Sequence, residues 1–228
     1  MPQEPMTVWD RPERGARGPA AAHSRHQLAA TAVELADREG LAAVSMRQVA
    51  QALGTGQASL YRYVAGRDDL LDLMADAVVA ELERDPLQGD PVADLTALAV
   101  RTKALHLRHP WLADLPPEPL RLGPNGLDHL EHSLAALAPV PLSGPAKLQV
   151  VALLNALIAQ FARAELQSAR APGGRAVAQA AYLTRAAEQG DRPRLRAALA
   201  ASPEPDPEAL FDRTVRRMLT GLVAPGSS

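Results

Sequence analysis

The stretch "ALGTGQASLYRYV", residues 52–64, narrows the possible folds more than any other part of the chain. Its Gly-Thr-Gly followed by Ser59 comes close to spelling a phosphate-cradling loop. Such a loop needs a strand before its glycines and a helix after them. The residues in front, "MRQVAQAL", instead read as an amphipathic helix. Ser45 with Gln48 three residues on is a capping box, and Val44 against Val49 fits a hydrophobic staple. Neither G-x-x-x-x-G-K-[ST] nor a third dinucleotide-type glycine is present. The glycines therefore belong to a turn between two helices, where they relieve the cost of positive φ. The first helix runs to about Leu53, and a short second one covers roughly 57–63. That unit is a helix-turn-helix, whose second helix lies in a DNA major groove.

The remaining sequence predicts helices as well. Ser24 caps a helix carrying Leu28, Ala32, Leu35 and Ala36 on one face, ended by Gly40. Gly66 precedes "RDDLLDLMADAVVAELER", whose first-turn acids suit the helix dipole. Asp90-Pro91 and Asp206-Pro207 each pair a cap with proline at the first helical position. Further helices are expected over "PNGLDHLEHSLAAL", from Pro145 to about Gln167, and on both sides of Asp191-Pro193. No segment alternates like a strand, and aromatic residues make up only 3% of a chain rich in Ala and Leu. The expected fold class is all-α, with a three-helix DNA-binding domain over 23–67 and a larger helical domain over 68–228. Residues 1–22 lack apolar periodicity and are expected to form a disordered arm; Arg11, Arg14 and Arg17 could enter a minor groove, but a tail that affects only solubility is the preferred reading.

Charge divides the same way. Residues 1–67 hold eight Arg against six acids, whereas 68–228 hold sixteen Lys and Arg against twenty acids. A basic first part permits nucleic-acid binding there, and the acidic remainder argues against a non-specific architectural binder. With no cysteine, thiolate chemistry is excluded. No nucleophile elbow, H-E-x-x-H or dinucleotide fingerprint is present, so no enzyme reading and no cofactor follows. The N-terminus lacks a signal-peptide pattern. The apolar run "LQVVALLNALIA" is short for a bilayer, so a cytoplasmic, non-membrane protein is expected.

If Leu60 and Val64 face the helices behind them, Gln57, Ser59, Tyr61, Arg62 and Tyr63 point outward. Gln and Arg can read adenine and guanine edges, and hydroxyls can hold phosphates. Arg47 near the start of the preceding helix can reach a base or phosphate. Arg67 at the start of the fourth helix can do the same for a backbone phosphate.

At these residues, "MRQVAQALGTGQASLYRYVAGRDDLLDLM" closely resembles the DNA-binding domain of TetR-type bacterial transcriptional regulators, over about residues 24–80. "HPWLADL", "LGPNGLDHLE" and "FDRTVRRMLTGL" resemble the tetracycline-repressor-type C-terminal domain. The resemblance implies a homodimer that binds a double-stranded, palindromic operator and is released from it by a small-molecule effector. It places Arg47, Gln57, Ser59, Tyr61 and Tyr63 at DNA-contacting positions and Arg67 at a phosphate-contacting one. Ala58 and Arg62 fall where that family varies.

"LQVVALLNALIAQFARAEL" is apolar nearly all round, which suits burial or a subunit interface. Leu153, Leu157 and Phe161, with Phe211, Val215, Met218 and Leu222 on the last helix, are the interface candidates. Met74, Leu105, His106, Trp111, Asn155 and Gln160 are candidates for an effector pocket. The i, i+3 pairs His106/His109 and His129/His132 have a spacing that a metal could use, but capping and packing roles are the preferred reading.

Overall fold

A computed structural model describes residues 6–11, 23–116, 121–170, 173–200 and 206–224. Among these residues the chain is all-helical. The N-terminal helices are α1 (Arg25–Glu39), α2 (Met46–Ala52), α3 (Gln57–Leu60) and α4 (Arg67–Val79). They are followed by α5 (Pro91–Arg108), α6 (Pro124–Ala136), α7 (Gly144–Arg170), α8 (Gly173–Gln189), α9 (Pro193–Ala200) and α10 (Pro207–Val223). Short 3₁₀ turns lie at Val8–Asp10, Leu41–Ala43 and Pro110–Asp114.

Local chemistry sets the helix ends. The Ser24 hydroxyl accepts the Gln27 N–H, and the Gln27 side chain accepts the Ser24 N–H, so α1 begins with a complete capping box. At α2 the Ser45 hydroxyl accepts the Gln48 N–H at 3.2 Å. Helix α2 ends in a Schellman arrangement: Thr55 N–H reaches the Ala50 carbonyl and Gly54 N–H reaches that of Gln51. Gly54 sits at φ +66°, where a side chain is strained. Gly56, at φ −77°, needs no such freedom. Of the two turn glycines, only the first has the positive φ expected from the sequence.

Two hydrophobic cores result. The first gathers Leu28, Ala32 and Leu35 of α1, Val49 of α2, Leu60 and Val64 of the recognition unit, and Leu70, Leu71, Met74 and Val78 of α4. The second joins Leu95 and Ala99 of α5, Leu137 after α6, Val151, Leu154 and Ile158 of α7, and Phe211, Val215 and Leu219 of α10. Helix α4 thus packs with the N-terminal helices, beyond the boundary expected at residue 67. Its Leu-rich face lies against α1 in this core.

The N-terminal segment also departs from expectation. Val8 is fully buried in the first core, Trp9 packs on that core, and Arg11 pairs with Asp69 of α4 at 2.6 Å. Residues 6–11 are therefore ordered rather than a free arm, because two apolar side chains and one ion pair fix them. Arg14 and Arg17 lie outside the described residues.

Helix α7 is the one described helix long and apolar enough, by length and composition, to cross a membrane. Here it lies alongside α5, α6 and α10, and much of its apolar surface is left uncovered by the chain.

Candidate nucleic-acid interface

Helix α3 is only one turn long, and residues 61–63 continue it as a tighter turn. Tyr63 N–H and Val64 N–H both return to the Leu60 carbonyl. With Leu60 and Val64 buried, the opposite side of the unit faces solvent. Arg47, Gln57, Ala58, Tyr61 and Arg62 are all exposed, Tyr61 by 52%. Gln57 Nε2 donates to the Tyr61 hydroxyl at 3.4 Å, which aligns the two side chains along one edge.

Three sequence-predicted contacts are placed differently. Tyr63 is 5% exposed and its ring fills the first core. Its hydroxyl accepts the His23 N–H at 3.2 Å, so its outward orientation is overturned. A large aromatic three residues after Leu60 falls on the same inward side. The Ser59 hydroxyl donates to the Gly56 carbonyl at 2.6 Å and lies 2.8 Å from the Thr55 hydroxyl. Its first role is to fasten the turn. Arg67 remains at the surface, but its Nε donates to the Val44 carbonyl and its Nη2 to that of Leu41. It thereby tethers α4 to the loop entering α2.

Behind this face, carboxylates tie the N-terminal helices to the segments packed around them. Asp69 accepts the Ala65 N–H and pairs with Arg11. Asp76, 5% exposed on α4, accepts the Gly126 N–H at 2.9 Å and the Asn125 Nδ2–H at 2.8 Å. Helix α6 starts at Gly123, which has no side chain to cap it, so Asp76 supplies the missing acceptor from another helix. Nearby, Arg121 Nη1 pairs with Asp72 at 2.5 Å. At the other end of the junction, His109 caps α5 and is 4% exposed. Its Nδ1 lies 2.8 Å from Asp37 of α1 and its Nε2 3.1 Å from Glu81. Trp111 Nε1 donates to the same Asp37 oxygen at 2.8 Å. The acids of this junction that sequence reasoning missed are Asp37, Asp69, Asp72, Asp76 and Glu81. Two acids four apart inside the otherwise apolar run "LLDLMADAVV" were the available signal for Asp72 and Asp76.

The six pocket candidates do not form one site. Met74, Leu105 and Trp111 are buried in the first core, with Trp111 bonded to Asp37. Asn155 and Gln160 are exposed on α7, so they line no interior pocket within one chain. His106 of α5 is largely enclosed, and burial lowers its pKa from 6.5. His129 of α6 is pushed the same way, first by burial and then by the charges of His132 and Arg84. Its Nδ1 is buried without a hydrogen-bond partner. Among the described residues no three His, Asp or Glu side chains come together as a metal site would require.

The interface candidates separate as well. Phe211 and Val215 are buried in the second core, where Phe211 meets Phe161 edge-on at 5.2 Å. They therefore face their own chain, because the helical stripe they share with Leu219 is covered by α5 and α7. Leu157, Phe161, Met218 and Leu222 are partly covered, and Leu153 is 50% exposed.

The family described as "Bacterial regulatory proteins, tetR family" matches residues 28–74, and "Tetracyclin repressor-like, C-terminal domain" matches residues 85–225. The chain belongs to the TetR family. Its resemblance to an HTH-type transcriptional regulator of Saccharopolyspora erythraea is 32% identity, over 96% of this chain and 92% of that protein. To the HTH-type transcriptional repressor DrrR1 of Streptomyces coeruleorubidus it is 39% identical over 70% of this chain, a match spanning 60% of that relative's length. Among solved structures, the TetR-family protein ActR of Streptomyces coelicolor in complex with actinorhodin superposes with a TM-score of 0.76. That match covers 91% of this chain and 99% of ActR at 29% identity, and ActR has also been solved with (S)-DNPA. The helix-turn-helix and the helical C-terminal domain are thus those of a TetR-family transcriptional regulator.

Proposed function

We propose that this TetR-family regulator is a repressor that grips a palindromic operator as a homodimer and releases it when a small molecule binds the C-terminal domain. The observation carrying the DNA reading is the exposed set Arg47, Gln57, Tyr61 and Arg62 opposite the buried Leu60 and Val64. Arg62 and Gln57 supply the donors for base edges, and Arg47 and Tyr61 suit phosphates or bases. Ser59, Tyr63 and Arg67 act mainly by holding that face in position. Supporting repression, the relative DrrR1 is named a repressor. Supporting an effector, ActR takes actinorhodin and (S)-DNPA.

A second copy of the chain is the natural cover for α7. Leu148 and Leu153 stand 48% and 50% exposed there, beside exposed Ala152, Asn155, Ala156 and Gln160. A two-fold pair sets two recognition helices about 34 Å apart, one DNA turn. An effector shifts this spacing only by its difference in affinity for the two arrangements. Such a protein works in the cytoplasm, with its operator.

The test is binding of the purified protein to DNA flanking its own gene, against random DNA of equal length, at two salt concentrations. Preference for the flanking DNA, lost in both Arg47→Ala and Tyr61→Ala while each variant stays folded and dimeric, is the expected result. Equal binding to both DNAs that falls steeply with salt would instead mark an architectural binder. Unchanged affinity in both variants would defeat the contact assignment.

A further inference from the structure

Residues 6–11 touch both halves of the molecule. At one end, Arg11 Nη1 pairs with Asp69 at 2.6 Å, and Asp69 also holds the Ala65 N–H at 2.6 Å. Arg25 donates from Nη1 to the Arg11 carbonyl and from Nε to the Tyr63 carbonyl. The segment is thereby fastened to the end of the recognition unit. At the other end, Trp9 reaches the start of α6. A Cβ at Gly123 would overlap both the Trp9 ring and the Asp76 carboxyl. Gly123 has φ −98°, an ordinary conformation, so glycine is required there for room. The turn that carries both anchors is stiff: Thr7 donates from both N–H and hydroxyl to Asp10, and Val8 is fully buried. From Asp69 to Asp76 is two turns of α4, or about 10 Å.

We propose that residues 6–11 are an interdomain strap that couples the recognition turn to the N-terminus of α6. Displacement of α6 from α4 breaks the Asp76–Gly126 hydrogen bond and also uncovers the Trp9 ring. A displaced Trp9 pulls on Arg11, and through Asp69 and Arg25 on the turn that follows the recognition helix. The strap therefore holds the recognition unit in the arrangement set by the α4–α6 contact. Only the operator measurement below rests on the DNA-binding function proposed above.

The experiment is hydrogen–deuterium exchange on the full chain, following peptides that contain the Gly126 and Ala65 amides, with operator affinity measured alongside. Four proteins are compared: wild type, Trp9→Ala, Trp9→Phe and Arg11→Gln. Trp9→Ala is expected to speed exchange at Gly126 about ten-fold and at Ala65 about three-fold. Arg11→Gln should speed Ala65 about ten-fold and Gly126 about three-fold. Operator affinity should fall about five-fold in both through lost pre-organisation, and Trp9→Phe should restore most of it. Should Trp9→Ala fail to fold, Arg11→Gln carries the test, since it leaves no core cavity. Unchanged Gly126 exchange in Trp9→Ala and Arg11→Gln, or a change confined to residues 23–64, overturns the strap. So does faster exchange at both sites with wild-type operator affinity. If Arg47→Ala also leaves operator binding intact, the DNA-contact reading has failed, and exchange alone decides the strap.

Discussion

Truncating His109 to alanine tests how firmly the end of α5 is clasped to α1. The ring is 4% exposed and lies 2.8 Å from Asp37 on one side and 3.1 Å from Glu81 on the other. A buried, charge-assisted hydrogen bond such as that to Asp37 contributes about 1.5–3 kcal/mol. The Glu81 carboxylate is 36% exposed and also pairs with Arg108 at 2.5 Å, so solvent screening reduces its contact with His109 to about 0.5 kcal/mol. Trp111 still donates to Asp37 after the truncation, which keeps that carboxylate from being left bare. The expected loss is about 2–3.5 kcal/mol, or a Tm lower by about 4–14 °C for a chain of this size. Thermal unfolding should be followed at one fixed protein concentration, because the Tm of an associating protein depends on it. A double-mutant cycle with Asp37→Ala should return a coupling of about 1 kcal/mol or more. A Tm within about 2 °C of wild type, or a coupling of zero, would refute the assignment of His109 as the clasp between α1 and α5.

Three further outcomes are expected. Tyr63→Phe removes only the acceptor for the His23 N–H, so it should cost about 0.5–1.5 kcal/mol in stability and leave operator affinity within about two-fold; a ten-fold loss in a gel-shift titration would return Tyr63 to the DNA face. Gly54→Ala, at φ +66°, should lower Tm by about 2–4 °C, whereas Gly56→Ala, at φ −77°, should change it by less than about 1 °C; equal effects would contradict the turn geometry. Because the pKa values of His106 and His129 lie below 6.5 in the fold, the unfolded chain binds more protons around that pH, and stability rises with pH there. Their stabilisation is present above about pH 6.5 and is lost as pH falls, so Tm should drop between about pH 7.5 and 5.5. His129→Gln should flatten that drop, and an unaltered slope would show that His129 does not contribute.

Much of this protein is written in local sequence. Ser24, Ser45, Asp90 and Asp206 start helices because a side-chain oxygen can take a free N–H within two or three residues. Gly54 ends one because only glycine takes its φ without strain. These signals need no tertiary partner, so the helix-turn-helix and the all-helical class were legible from residues alone. The exposed members of the recognition face, Arg47, Gln57, Tyr61 and Arg62, followed from spacing against Leu60 and Val64.

What spacing could not decide was which partner each side chain would meet. Tyr63 suits either a phosphate or a core, and only the position of the α1 N-terminus gave its hydroxyl the His23 N–H. Met74, Trp111, Phe211 and Val215 are apolar on any reading, and packing alone assigned them to the interior of their own chain. Asn155 and Gln160 lie on a helix apolar enough to be buried, yet the chain leaves their face open. Asp37, Asp69 and Asp76 acquire their roles from residues on other elements: a ring beyond α5, an arginine in the N-terminal segment, and the uncapped start of α6. Local hydrogen-bond and φ/ψ preferences thus determined the elements. Burial and long-range charge pairing, which depend on groups far apart in the chain, determined which elements the molecule ties together.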